Sequence, residues 1–498
     1  MIVGELIAFI VYFLAMLGVG LFFMIRKKSK TQGDYFLGGR AMGPYVTALS
    51  AQASDMSSWL LMGLPGAILA AGFGEVWIAI GLAIGTYLNW LLIAGRLRKF
   101  SQAAGDSITI PQYLNNRFKA KGKTLQVVAA VIFFVFFTWY VASAFKAGGQ
   151  LFNTVLGVNN EMLCMVIFAV ILLAYTFMGG FKAVCWTDLF QSLLMLVAIT
   201  FIPIFLLATE GVNLGSVATN NPNYFNFLSS GKFDWKSIST IFNGLAWGLG
   251  YCGMPHIIVR FMSIKSSKMI KTSRRVASVW VVITLAMAVL VGIVGACVLP
   301  GIKNEEHVFI IMTRKVLPPF LSGICLSAIL AASMSTADSQ LLVASSAVAC
   351  DIYKPIIKKN ASEKEVLWAG RIVIIVICII AFGVACIPAF GNIMNLVENA
   401  WAGFGAAFGP VIVLSLFWKK LTYKGAVAGM IAGGVVVLTW MILLKQITGV
   451  YELIPGFIAG LLGCIITSII DKKNVGPCEE MFNEAMAFDD SIEQPKAE

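Results

Sequence analysis

The sequence predicts an all-α polytopic membrane protein. Of its 498 residues, 59% are hydrophobic and only 12% are charged, a balance too apolar for a set of soluble domains. Apolar runs of about 20 residues, the length that crosses a bilayer, recur along the whole chain. Two of these runs contain glycine, proline and polar residues at membrane depth, so we expect two of the helices to be interrupted.

Charges and turn signals divide the apolar runs into thirteen candidate spans. The first run, from about Gly4 to Ile25, is too long for a signal-peptide core and lacks a small-residue cleavage site, so we expect it to be retained. The thirteen spans lie near 4–25, 44–70, 73–95, 125–156, 160–180, 186–208, 237–262, 276–300, 318–349, 367–388, 392–418, 424–444 and 453–471.

Basic residues concentrate in alternate loops. One set of loops holds thirty of the 37 lysines and arginines, the opposite set holds six, and Lys146 lies within a span. By the positive-inside rule, the N-terminus is outside and the C-terminus is cytoplasmic, which agrees with an odd number of spans. The same rule accounts for the net charge of +12 without a nucleic-acid partner. The richer set comprises Arg26 to Arg40, Arg96 to Lys123, Lys182, Arg260 to Arg275, Lys354 to Arg371, Lys419 to Lys424 and the tail lysines.

The spans group into two sets of five. Because five is odd, the two sets have opposite orientations in the bilayer, and each begins with an interrupted span. We expect the polar outer loop to be ordered in part and the acidic tail to form no separate domain. The organisation is 1–43, first helix and cytoplasmic loop; 44–208, first repeat; 209–236, extracytoplasmic loop; 237–418, inverted second repeat; 419–471, last two helices; and 472–498, cytoplasmic acidic tail.

The first interrupted span carries Asp55 among the hydroxyls of Ala51–Trp59, followed by Gly63–Gly66. A charged side chain at bilayer depth costs a few kcal/mol, so such a residue indicates a substrate or ion site. Where a helix unwinds, free carbonyls can coordinate a cation, and the amides that begin a half-helix attract an anionic group. The alternative is a solvated acid that faces the cytoplasm.

The second interrupted span, Gly244–His256, contains four glycines and Pro255, which a continuous helix would tolerate poorly. Interrupted helices at corresponding positions of two inverted halves indicate a transport site near the membrane midplane. The alternative is that these are packing glycines of closely crossing helices.

A row of polar residues occupies the long span at 318–349. Ala332, Ser335, Thr336 and Ser339 follow the spacing of one helix face. Hydroxyl and carbonyl oxygens suit a hard cation such as sodium, although interhelical hydrogen bonding would use the same residues. The neighbouring Asp338 favours an ion site.

Another acid, Asp188, follows Trp186-Thr187 near the start of a span, with Lys182 close by. A salt bridge at the inner surface and an ion site explain it equally well.

Aromatic residues accompany the interruptions. Trp247 and Tyr251 are four residues apart and would share a helix face, while Trp59 and Tyr140 belong to other spans. Aromatic faces can pack on an apolar ring and attract a cationic amine. Core or interface packing is the alternative.

Residues for catalysis or structural metal binding are scarce. The ten cysteines are scattered without a CxxC pair, and His256 and His307 are the only histidines. We therefore expect neither a disulfide framework, nor a zinc site, nor an enzyme.

With these residues in view, the sequence resembles the sodium:solute symporter family, in order and over nearly the whole chain. The resemblance implies thirteen spans with a LeuT-like five-plus-five inverted repeat, in the bacterial cytoplasmic membrane. It also implies uptake of L-proline coupled to sodium by alternating access; another small solute, such as pantothenate or a monocarboxylate, is the alternative. No obligate protein partner is evident. The matching stretches are Tyr35–Arg40, Ala53–Pro65, Trp186–Asp188, Trp247–Arg260, Ser327–Thr336 and Trp401–Pro410.

The resemblance also implies roles for individual residues. Sodium would be bound by main-chain oxygens of Ala53, Met56 and Ala332 and by the hydroxyls of Ser335 and Thr336, with Asp55 as essential support. Arg40 would lie at the inner mouth as a gate residue. Proline would contact Trp59, Tyr140, Trp247, Tyr251 and Pro255, with polar help from Ser54 and Ser57.

Some positions depart from the family's pattern or extend it. Ser58 stands where proline-transporting members carry glycine, and Met254 where they carry glutamine, so substrate range and affinity would differ there. Some members bind a second sodium ion one turn beyond the first. Asp188, Asp338 and Ser339 are the candidate residues for such a second cation site.

Overall fold

The computed structural model describes residues 2–26, 31–120, 122–158, 160–388 and 391–490. The end of the acidic tail, 491–498, lies outside these ranges, and so do several lysines that orient the chain, namely Lys27, Lys28, Lys30, Lys121 and Lys496.

Nearly all of the described chain is helical. The first part contains α1 Val3–Arg26, α2 Gln32–Leu37, α3 Pro44–Asp55, α4 Gly63–Ala71, α5 Val76–Leu88, α6 Ala94–Ala103, α7 Ile110–Arg117, α8 Thr124–Leu156, α9 Glu161–Thr209 and α10 Leu214–Asn220. The second part contains α11 Trp235–Gly250, α12 Pro255–Ser263, α13 Ile270–Val298, α14 Val308–Val316, α15 Pro319–Ser346, α16 Glu363–Ala385, α17 Ile393–Phe417, α18 Tyr423–Leu443, α19 Lys445–Thr448, α20 Leu453–Ile470 and α21 Val475–Ala487.

Ten helical stretches among the described residues are long and apolar enough to cross a membrane. The all-helical class is therefore confirmed, whereas the count is lower than the thirteen spans expected. Three of the expected spans are not counted separately. The spans 44–70 and 73–95 fall in one stretch, Ser58–Ala103, after the break that ends α3; the span 160–180 leaves only the short apolar stretch Glu161–Ala174; and the span 237–262 is divided into α11 and α12.

The residues expected to form a loop between 180 and 186 are helical. The division between the two expected spans lies at Gly180 within α9, where the backbone has the non-helical angles φ 59° and ψ −177°. Glycine adopts such a conformation without steric cost, so the chain changes direction within a single residue. Lys182 consequently lies in the helix, with its Nζ 3.8 Å from Asp34 Oδ1.

The core is built around α15 and α17. Every residue of α15 from 326 to 346 is buried, because the helix packs against α1, α3, α8 and α9. Helix α17 is buried throughout 400–412, where it packs against α8, α18 and α20. Because α15 is surrounded on all sides by other helices, it has no solvent-exposed polar face. Its hydroxyls and its acid therefore lie inside the protein.

The surface of α1 is typical of a helix in lipid. Val3, Ile7, Ile10 and Leu14 are all exposed and follow the spacing of one helix face. An exposed apolar stripe of this kind suits a bilayer better than water.

Helices α5 and α11 cross in close contact. A Cβ at Gly81 would overlap the Gly244 carbonyl oxygen, and one at Gly85 would overlap the backbone of Gly248. The glycines at 244 and 248 therefore serve helix packing, as the alternative interpretation held. The interruption itself is confirmed, but it lies after Gly250, where a 3₁₀ turn over 251–253 leads to Met254 and the new helix begins at Pro255.

Part of the acidic tail is a packed helix. Helix α21 packs on α6 and α7, with the rings of Phe482 and Phe100 5.3 Å apart. Arg117 donates to the Cys478 carbonyl oxygen at 2.7 Å. Beyond the helix, Asp490 accepts hydrogen bonds from the backbone N–H and the hydroxyl of Ser267 at 2.6 and 2.7 Å.

Candidate functional site

The first interrupted helix breaks directly after Asp55. Met56 has φ −83° and ψ 78°, Ser57 is extended, and a 3₁₀ turn follows over 58–60. Ser57 caps that turn, because its hydroxyl accepts from the N–H of Trp59 at 3.5 Å. Since the last carbonyls of a helix have no partner further along it, the break leaves the end of α3 open to side chains from elsewhere.

The hydroxyls of α15 meet this open end. Ser335 Oγ lies 2.8 Å and Thr336 Oγ1 lies 3.3 Å from the Ala53 carbonyl oxygen. Ser335 Oγ is also 3.2 Å from the carbonyl oxygen of Ala332, and Met56 is fully buried in the break. Carbonyl and hydroxyl oxygens of four of the five predicted sodium ligands thus converge in a buried position, a donor set that suits a hard monovalent cation.

Asp55 connects the two interrupted helices. Tyr251 Oη donates to Asp55 Oδ2 at 2.5 Å, and the carboxyl group is fully buried. Asp55 Oδ1 has no hydrogen-bond partner among the described residues. The main-chain oxygen of Asp55 accepts from Trp59 Nε1 at 3.3 Å and from Tyr140 Oη at 3.4 Å. A buried acid with one free oxygen beside the break can attract a positive charge.

The predicted aromatic residues form one cluster around the second break. The rings of Trp59 and Trp247 are 6.3 Å apart, which brings the two interrupted helices together. The structure adds two aromatic neighbours that the sequence interpretation missed. Trp401 donates to the Trp247 carbonyl oxygen at 2.8 Å and lies edge-on to Tyr251 at 5.1 Å, and Tyr451 stacks on Trp247 at 5.6 Å.

Pro255 begins α12 directly after this cluster and is buried. Proline is favoured at the first helical position because its missing N–H has no partner there anyway. Met254, just before it, has the extended backbone that proline imposes on its predecessor, and Ser58 lies buried in the first break.

Ser54 faces a second, more polar cluster instead of the aromatic residues. Its hydroxyl lies 3.0 Å from Ser339 Oγ and 3.3 Å from Asp188 Oδ2. Ser339 in turn donates to Asp338 Oδ1 at 3.2 Å. The reason is helical spacing: Ser54 is four residues beyond Ser50, whose hydroxyl donates to the same Asp188 oxygen at 2.6 Å.

Arg260 is at the centre of this second cluster. It was assigned above to a basic loop, but its side chain is only 1% exposed and belongs to the buried half-helix α12. Its Nη2 lies 3.2 Å from Asp188 Oδ2 and 2.5 Å from Ser339 Oγ, and Nε lies 3.2 Å from Ser50 Oγ. Nη1 donates to the His256 carbonyl oxygen. An arginine that ends an apolar run resembles a loop residue, so the sequence alone did not reveal this position.

Arg40 lies at one end of the two interrupted helices, beside a cavity of about 840 Å³. It donates to Asp106 Oδ1 at 2.6 Å, to the Met262 carbonyl oxygen at 2.6 Å and to the Ser107 carbonyl oxygen at 2.8 Å. Burial lowers the pKa of the Arg40 guanidinium, and the nearby Asp106 carboxylate opposes that shift. Arg40 therefore joins the loop after α6 to the end of α12.

A second cavity of about 780 Å³ lies at the opposite end, where α4 begins. Gly63, Lys146, Glu306 and Asn392 are among its lining residues. The buried clusters thus lie between two cavities that open at different ends of the interrupted helices.

Comparison with known proteins adds independent information. The model of the sodium:solute symporter family matches residues 35–433 of this chain. The sodium/proline symporter of Escherichia coli (strain K12) is 42% identical over 495 residues, which cover 97% of this chain and 96% of that protein. The osmoregulated proline transporter OpuE of Bacillus subtilis (strain 168) is 44% identical over 475 residues, which cover 93% of this chain and 94% of that protein.

Among solved structures, a Na⁺-coupled sialic acid symporter in a substrate-bound, outward-open state is similar, with a TM-score of 0.77. The match covers 94% of this chain and 98% of that one, at 20% sequence identity. At that identity, the likeness concerns the fold alone.

Proposed function

The chain belongs to the sodium:solute symporter family, and on that basis we propose that it takes up L-proline together with sodium across the bacterial cytoplasmic membrane. The names of the two relatives above, which match nearly the full chain, support proline as the substrate. Within this chain, the observation that carries the proposal is the approach of the Ser335 and Thr336 hydroxyls to the Ala53 carbonyl oxygen at a helix break.

The proposed architecture has thirteen spans, of which 44–208 and 237–418 form the inverted repeats. The breaks after Asp55 and after Gly250 support this pairing, because each lies in the first span of its set. The asymmetry of basic loops supports an outside N-terminus and a cytoplasmic C-terminus. Removing the buried Arg260 from the count leaves that asymmetry large.

Sodium binds between α3 and α15 in this proposal. Main-chain oxygens of Ala53, Met56 and Ala332 and the hydroxyl oxygens of Ser335 and Thr336 are its ligands. Asp55 supplies negative charge nearby. Because the ligands come from two helices, sodium stabilises the arrangement in which those helices are close together.

Proline binds beside the second break. Its ring packs on Trp247 and Tyr251, and its carboxylate meets amides that begin a half-helix. Ser57 and Tyr140 remain polar candidates from the first break and from α8. Ser54 does not contact proline in this proposal, because its hydroxyl is hydrogen-bonded to Asp188 and Ser339.

Transport proceeds by alternating access. Each sodium ion that moves inward releases about 2.3 kcal/mol per 100 mV of membrane potential, besides the free energy of its own gradient. Arg40 lies at the cytoplasmic mouth in the proposed orientation, where its contacts with Asp106 and Met262 hold the end of α12.

Labelled proline uptake into proteoliposomes with an imposed inward sodium gradient tests the proposal. We expect accumulation above equilibrium that collapses with the gradient and is inhibited by unlabelled proline, but not by pantothenate or acetate. Accumulation that is inhibited by pantothenate or acetate would assign the site to another solute. Flux without accumulation would contradict symport.

A further inference from the structure

Arg260 occupies the place where a second cation was expected. We propose that its guanidinium is a tethered cation that takes the place of a second sodium ion at Asp188 and Ser339, so that one sodium ion accompanies each proline. The inference rests on the proposed function above and adds to it the residue that excludes a second sodium ion from this position.

The contacts of Arg260 are those that a bound cation would make. From α12 it reaches Asp188 on α9 at 3.2 Å, Ser339 on α15 at 2.5 Å and Ser50 on α3 at 3.2 Å. All three partners are buried and present oxygen atoms. The guanidinium therefore joins the helices that surround the cluster, and its remaining nitrogen is used by the His256 carbonyl oxygen.

The cluster needs positive charge. Asp188 and Asp338 are both fully buried, and Asp188 Oδ1 and Asp338 Oδ2 have no hydrogen-bond partner among the described residues. Burying a charged carboxylate without a countercharge is strongly unfavourable, so a cation beside Asp188 and Asp338 stabilises their ionised forms. Arginine supplies it permanently, because the guanidinium stays protonated in proteins.

The two cation positions lie one helical turn apart. Ser339 follows Ser335 by four residues on α15, which is about 6 Å along the helix axis. On α3, Ser54 directly follows Ala53, so both helices present oxygens at both levels. One level is available to a sodium ion, and the other is already filled by Arg260.

A merely structural ion pair would hold the helices together without affecting the number of ions transported. The coupling ratio distinguishes these roles. Arg260→Gln keeps hydrogen-bonding capacity but removes the charge, so it opens the second position to sodium. Arg260→Lys keeps the charge. The double variant Arg260→Gln/Asp188→Asn removes the carboxylate that would bind the additional ion.

The experiment measures the sodium-to-proline ratio in proteoliposomes, from the membrane potential at which net proline flux is zero under fixed gradients. We expect a ratio of one for the wild type and for Arg260→Lys. For Arg260→Gln we expect a ratio of two, with the Hill slope for sodium rising from about one to about two. The double variant should return to one.

A ratio of two in the wild type would overturn the inference, and so would a ratio of one in Arg260→Gln protein that inserts and melts like the wild type. If Arg260→Gln does not fold, Arg260→Asn, which is also uncharged and is smaller, takes its place with the same two outcomes. Absence of sodium-driven proline uptake in the wild type would instead overturn the proposed function, so the two failures are distinguishable.

Discussion

A hydrogen bond from Tyr251 Oη to Asp55 Oδ2 joins the two interrupted helices at their breaks. Both groups are fully buried, and the carboxyl group has few other partners. Tyr251 thus holds Asp55 in place next to the aromatic cluster, while the main chain of the same segment reaches α15 through Ala53. One short segment consequently contacts both proposed ligand sites.

Tyr251→Phe removes this hydrogen bond and keeps the ring. A hydrogen bond to a charged group contributes about 1.5–3 kcal/mol, so we expect the apparent affinity for proline in the presence of sodium to fall by about 10-fold or more. Uptake kinetics at saturating sodium measure the change. Tyr113→Phe is the matched control, because Tyr113 is equally buried but its hydroxyl bonds Ser415, which belongs to neither break. An apparent affinity for proline in Tyr251→Phe that equals those of the wild type and of Tyr113→Phe would contradict the role of Tyr251.

At single positions, the sequence was informative about Asp55, because an acid at bilayer depth is costly, and about Ser335 and Thr336, because their spacing places them on one helix face. All three residues are buried, and both hydroxyls approach the Ala53 carbonyl oxygen. Arg260 and Trp401 were not identified, because their importance depends on which helices meet in three dimensions. A buried arginine at the end of an apolar run has the same sequence pattern as an exposed loop arginine.

Between helices, close packing determines where the interrupted span can lie. Helix α11 contacts α5 through glycines at 244 and 248, while Gly253 contacts the backbone of α17. The sequence indicated that Gly244–His256 was unusual, but it could not distinguish packing glycines from a helix break. The break begins after Gly250, where the 3₁₀ turn over 251–253 and the extended Met254 precede Pro255, while the glycines at 244 and 248 lie in continuous helix.

Gly248→Ala tests the packing role. Its Cβ would overlap the Gly81 carbonyl oxygen, and overpacking costs about 1–3 kcal/mol, so we expect a lower melting temperature in detergent. Gly434→Ala is the control, since no atom lies within 4 Å of the added methyl group and alanine favours a helix. An unchanged melting temperature for Gly248→Ala would contradict the close crossing.

For the molecule as a whole, the C-terminal segment is part of the folded structure. Lys119 pairs with Glu480 at 2.8 Å, and α21 covers Phe100 of α6. The sequence indicated a polar acidic tail, because its charges dominate its composition. The few apolar residues that pack, such as Phe482, were too sparse to indicate a docked helix.

Truncation after residue 474 removes α21 and the bonds of Asp490 to Ser267. We expect a lower melting temperature, because Phe100 and Arg117 lose buried contacts. Truncation after residue 490 leaves all of these contacts in place and is the control. The same melting temperature for both truncated proteins would contradict a stabilising role for the tail.

The coupling of sodium to proline through the break after Asp55 is tested most directly by the sodium concentration that half-saturates proline uptake. Thr336→Ala and Asp55→Asn each remove a group from the proposed site, so each should raise that concentration about 10-fold or more at saturating proline. Thr284→Ala, a buried hydroxyl on α13 that bonds the Trp280 carbonyl oxygen, should leave it unchanged. Wild-type sodium dependence in both Thr336→Ala and Asp55→Asn would contradict the site.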